Sequence, residues 1–158
     1  MVKYYNAMVV FEEIPDEITL AINITNCPCH CKGCHSQFLW DDVGTELTPN
    51  ELDALIDEND GITCVCFMGG DREPETITEL SRYVKGEYGL KTAWYSGFDE
   101  INKRADADAF NYIKIGHYDD ELGGLNKDTT NQRLYKVRNI DDECVLDDIT
   151  YRFHKKRE

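Results

Sequence analysis

The run "ITCVCFM", residues 62–68, is the strongest constraint on how this chain can fold. It is a short continuous apolar stretch, the pattern of a strand buried on both faces of a parallel sheet. Parallel neighbours cannot be joined by a tight hairpin and need crossover connections, usually helices. The residues on either side supply them. Upstream, "EITLAINIT" (17–25) is β-branched and apolar with strand periodicity. Between the two runs lies "TPNELDALIDEND", where Thr48 is placed to N-cap a helix, Pro49 takes its first position and Glu51 completes a capping box. Leu52, Leu55 and Ile56 then form one apolar stripe, and Gly61 comes after the helix end.

Downstream the cycle repeats. "GGD" (69–71) interrupts the strand, and a helix from about Pro74 carries Ile77, Leu80 and Val84 on one face. "LKTAWYSG" (90–97) reads as a third strand, "FDEINKRA" as a brief helix and "FNYIKIG" (110–116) as a fourth strand. Beyond Gly116 the periodicity fades into a structured loop with a short strand at "RLYKV". This alternation predicts an α/β fold with right-handed crossovers and a mainly parallel sheet. With no internal repeat or linker, residues 1–158 are read as one domain. A closed eightfold barrel takes ~250 residues, so an open, partial (β/α) barrel is expected. In open α/β sheets ligands bind beyond the C-terminal strand ends. The stretches after the first, second and third of these strands all fall there.

Charge and compartment narrow the partners. The formal charge of −14 argues against a nucleic-acid backbone, which would repel so acidic a chain. No apolar run approaches the ~18 residues of a membrane span, and the opening "MVKYYNAMVVFEEIPDE" lacks the features of a signal peptide. A cytosolic protein is expected, and stable disulfides are disfavoured there.

The stretch after the first strand, "CPCHCKGC" (27–34), holds four of the seven cysteines. An odd cysteine count fits a disulfide framework poorly, which leaves metal or cluster chemistry. Cys27, Cys31 and Cys34 stand at spacing C-x3-C-x2-C, and Pro28 and Gly33 help shape turns that can bring three thiolates to one point. A 4Fe-4S cluster normally takes four thiolates, so three would leave one iron open. A structural zinc ion would want a closed set of four, which His30 or His35 could complete. Cys29 lies between the ligand positions. Cys64 and Cys66, two apart on a strand, face one side of the sheet and read as buried small hydrophobes. Cys144 is assigned no role.

The cysteine loop and the segments C-terminal to it resemble the radical S-adenosylmethionine enzymes. Within that superfamily they are similar to the activating proteins of anaerobic ribonucleoside-triphosphate reductase. The matching segments are "NCPCHCKGCHSQFLW", "FMGGDREPETITEL", "WYSGF", "YIKIGHY" and "LGGLNKDTTNQRLYKV". The resemblance implies that Cys27, Cys31 and Cys34 bind three irons of a 4Fe-4S cluster and that S-adenosyl-L-methionine chelates the fourth. It implies an electron from a flavodoxin or ferredoxin, reductive cleavage of the sulfonium, and removal of a glycine Cα hydrogen from the reductase to leave a glycyl radical. Gly69, Gly70 and Asp71 are then candidates for close approach to the cofactor, with a carbonyl accepting from its ammonium. The alternative for GGD is a tight strand-to-helix turn. Ser96 and Lys114 are candidates for the ribose hydroxyls and the carboxylate, or are solvated strand ends. "NKDTTNQR" is read as hydrogen-bonded loop architecture, and His35, Phe38 and Trp40 as cover for the cluster. Two other readings stand beside this one. The first is radical chemistry on another glycyl radical enzyme or a small molecule. The second is a zinc-stabilised interaction module.

Overall fold

The computed structural model describes residues 1–29 and 37–154, the side chains of residues 37 and 38 excepted. Its eight described strands form one sheet: β1 (Lys3–Val10), β2 (Thr19–Ile24), β3 (Thr45–Glu46), β4 (Cys64–Met68), β5 (Lys91–Tyr95), β6 (Tyr112–Ile115), β7 (Arg133–Ile140) and β8 (Glu143–Asp148). Their order across the sheet is β3-β1-β2-β4-β5-β6-β7-β8. The four central strands, β2, β4, β5 and β6, pair in parallel. Antiparallel strands flank them on both sides. The expected parallel sheet is therefore the middle of a mixed α/β sheet.

Two α-helices are described, α1 (Pro49–Asp57) and α2 (Pro74–Tyr88). The Thr48 hydroxyl accepts from the Glu51 amide at 3.2 Å, satisfying one of the orphan donors at the start of α1. Leu52 and Ile56 of α1 and Ile77, Leu80 and Val84 of α2 are buried with Leu20, Ile22, Val65, Phe67, Trp94 and Ile113 from alternate strand positions. Burying a side chain of this size stabilises by about 1.5–3 kcal/mol, so this layer supplies most of the packing energy. Trp94 stacks on Phe110 with ring centroids 5.6 Å apart.

The opposite face carries smaller side chains, Cys64, Cys66 and Ala93, together with Tyr112 and Leu134. Among the described residues the cover here is a loop and a C-terminal 3-10 turn, not an α-helix. Ile14, in the loop between β1 and β2, is fully buried against it, and Ile149 and Phe153 near the C-terminus pack beside it. The Tyr95 hydroxyl donates to the Glu13 carbonyl, and Arg152 pairs with Asp16, so loop and C-terminal turn hold each other down.

Two expectations change. "FDEINKRA" is not helical: Asn102 closes a local turn by accepting from the Arg104 amide at 2.8 Å. The nearest helical geometry is a 3-10 turn at Ala107–Ala109, capped by Asp106. Side chains of this kind compete with helix hydrogen bonding. The strand at "RLYKV" is longer and returns as β8. Asp141 and Asp142, both with positive φ, make the two-residue turn between them. No described helix is long and apolar enough to cross a membrane.

Candidate functional site

The parallel strands deliver their C-terminal ends to one place. β2 runs into Asn26, whose φ of +61° turns the chain, and the Cys27 amide donates to the Leu39 carbonyl at 2.9 Å. The entry to the cysteine loop is thereby tied to the chain that leaves it. The Arg72 Nε donates to the Asn26 carbonyl at 2.8 Å, linking the start of this loop to the segment after β4.

After β4, Gly69 and Gly70 both adopt positive φ. A Cβ on Gly70 would fall 2.6 Å from Ile77 Cδ1, in the first turns of α2, so glycine is required there both by backbone and by packing. The Gly69 carbonyl accepts from Trp94 Nε1 at 2.7 Å and the Gly70 carbonyl from the Glu73 amide at 3.0 Å. Asp71 does not cap α2. The residue at the cap position is Glu73, which makes no side-chain cap bond.

Asp71 instead turns inward and is 4% exposed. Its Oδ1 accepts from the Ser96 hydroxyl and its Oδ2 from the Gly97 amide at 2.9 Å, binding the end of β4 to the turn after β5. Burial raises the Asp71 pKa, opposed by the Gly97 amide, the Ser96 hydroxyl and the charge of Lys114. The Cys29 thiol lies 4.0 Å from Asp71 Oδ2, a long S–H···O contact. Lys114, near the end of β6, is also buried. Its ammonium donates to the carbonyls of Ser96 at 3.0 Å and Gly116 at 2.8 Å and lies 5.7 Å from the centre of the Tyr95 ring.

The sequence candidates Gly69, Gly70, Asp71, Ser96 and Lys114 thus share one end of the sheet with Cys27 and Cys29. Cys31 and Cys34 lie outside the described residues, as do His30 and His35. Among the described residues no group of three or more His, Cys, Asp or Glu gathers as a metal site. Cys64 and Cys66 are fully buried, as expected. The "NKDTTNQR" segment is hydrogen-bonded loop architecture. Thr129 and Thr130 donate to the carbonyls of Leu122 and Gly123, Asn131 to that of His117, and Gln132 Nε2 to that of Gly116 at 3.3 Å. The residue pattern did not reveal Gly97 as a point of close approach or Trp94 as the clamp on Gly69. A serine–glycine pair at a strand end is the signal for the first; nothing local signals the second.

The model of the 4Fe-4S single cluster domain family matches residues 18–136, three quarters of the chain, from the start of β2 into β7. The chain belongs to this family. The matched span contains the whole cysteine loop and all the strand ends that meet beside it. No curated protein and no solved structure matches the chain.

The donor chemistry fits the group that the family binds. Thiolates are the protein ligands of 4Fe-4S clusters, and the thiols of Cys27 and Cys29 follow the C-terminal end of β2, on the side of a parallel sheet where a ligand is accommodated. Cys27 is partly exposed.

Proposed function

We propose that this chain is a radical S-adenosylmethionine enzyme that activates an anaerobic ribonucleoside-triphosphate reductase. Cys27, Cys31 and Cys34 would hold the 4Fe-4S cluster. When bound and reduced by a flavodoxin or ferredoxin, it supplies the electron that splits S-adenosylmethionine into methionine and a 5′-deoxyadenosyl radical. That radical would take a glycine Cα hydrogen from the reductase and leave as 5′-deoxyadenosine, with a glycyl radical stored on the partner.

One observation carries the reading. Three segments far apart in sequence touch at the same strand ends: the cysteine loop at Cys29, GGD at Asp71 and YSG at Ser96 and Gly97. Lys114 brings a fixed positive charge there, suited to a cofactor carboxylate, and the Gly69–Gly70 backbone has no side chain to hinder approach. The helices cover one face of the sheet. An open partial barrel would have room beyond its strand ends for a partner's loop. The chemistry belongs in the cytosol, where thiols stay reduced.

Anaerobic reconstitution with iron, sulfide, a low-potential reductant, S-adenosylmethionine and the reductase tests this directly. The expected result is a doublet EPR signal on the reductase. A brown, cluster-loaded protein that never yields the doublet removes the activase assignment and points to another target. A colourless protein holding zinc removes the radical chemistry as well.

A further inference from the structure

The loop holds one thiol more than a three-thiolate cluster uses. Cys29 stands two residues from Cys27 and two from Cys31, close enough along the chain to compete for iron. A fourth protein thiolate would occupy the coordination position that the proposed chemistry requires open.

The structure gives this thiol a different place. Its sulfur rests on Gly97, where an added Cβ would lie 2.6 Å from Sγ and 3.3 Å from the Cys29 Cβ. No side chain can stand at position 97 while Cys29 keeps this position. The backbone of Gly97 is not in the left-handed region, so conformation does not demand glycine here. The sulfur does. Asp71 fixes the arrangement, because its carboxylate holds the Gly97 amide and the Ser96 hydroxyl and also faces the thiol.

We infer that the Ser96–Gly97 turn, pinned by Asp71, is a seat that withholds the Cys29 thiol from iron and so keeps a three-thiolate cluster open. The inference rests on the radical S-adenosylmethionine reading. It assigns Cys29 a position rather than a ligand role, and it assigns Gly97 and Asp71 as positioning residues for the loop.

The test compares the full chain with its Cys29→Ala, Gly97→Ala and Gly97→Ala/Cys29→Ala variants, each reconstituted anaerobically with iron and sulfide. The readout is the EPR spectrum of the reduced cluster before and after addition of S-adenosylmethionine, which changes when the cofactor reaches an open iron. The original chain and Cys29→Ala are expected to respond. Gly97→Ala, with its seat filled by a methyl group, should lose the response, and removing the displaced thiol in the double variant should restore it. The idea is overturned if Gly97→Ala responds normally, if the double variant is as impaired as Gly97→Ala, or if Cys29→Ala loses its cluster. Failure of the original chain itself to respond would instead sink the radical S-adenosylmethionine reading, so the two failures are distinct.

Discussion

Glu17 and Lys91 meet at 2.8 Å at the N-terminal ends of the parallel strands, the end opposite to Asp71 and Ser96. The Glu17 carboxylate is buried and also accepts from Thr63 at 2.7 Å and Tyr112 at 2.8 Å, so it joins the segment before β2 to the residue before β4 and to β5 and β6. Burial alone would raise its pKa, but these three partners outweigh that and hold it below the ordinary value. A depressed carboxylate contributes stability that is present above the unfolded-state value, about 4.3, and is lost as the pH falls through the lower folded value. Lys91 is 53% exposed, so the buried hydrogen bonds matter more than the screened ion pair. Glu17→Gln should destabilise by about 1–3 kcal/mol at neutral pH. Urea denaturation should show that difference shrinking as the protein is acidified below pH ~4.

Asp71 has the opposite pH behaviour. Its raised folded value means that ionising it opposes folding, so its contribution grows less favourable as pH rises past the unfolded value. Asp71→Ala would leave the Ser96 hydroxyl and the Gly97 amide without their shared acceptor. A loss of about 1–3 kcal/mol is expected, measured as a lower denaturation midpoint. Asp71→Asn keeps an acceptor oxygen and should lose less.

Gly70→Ala should be among the most disruptive single changes. The position has φ +90°, and the new methyl would meet the fully buried Ile77 at 2.6 Å. Backbone strain and overpacking together predict a loss of about 2–4 kcal/mol. Equal stability of the variant and the original chain in thermal unfolding would contradict this packing.

The cysteines should separate into classes. Burial, followed by the nearby Glu17 charge, pushes the Cys64 thiol up to about 12, and burial pushes Cys66 well above its ordinary value. Neither forms thiolate at neutral pH. Alkylation of the folded protein, read by mass spectrometry, should spare both and modify exposed Cys144. Replacing Cys27, Cys31 and Cys34 together by alanine should abolish iron binding. Cys64→Ala and Cys66→Ala should keep iron and lose at most about 3 kcal/mol of stability.

The turn between β7 and β8 offers a gain. Asp142 occupies φ +66° in a two-residue turn that favours glycine there. Asp142→Gly should stabilise by up to about 1 kcal/mol, read as a higher denaturation midpoint; a fall would argue that the aspartate side chain holds the turn.

The sequence by itself determined the central β–α succession, because burial on two faces and capping at a helix start are written in consecutive residues. "ITCVCFM" and the Thr48–Pro49–Glu51 signal are read within a single element, and so is the cysteine spacing. β1, β8 and the cover over the Cys64 face escaped that reading, since flanking antiparallel strands and loops are selected by what they pack against. Tertiary structure alone decided that Asp71 would grip Ser96 and Gly97 rather than cap a helix, and that Cys29 would lie on Gly97. Those contacts join residues about 25 to 70 positions apart. Hydrogen bonds and close packing depend on separation in space, which sequence order does not encode locally.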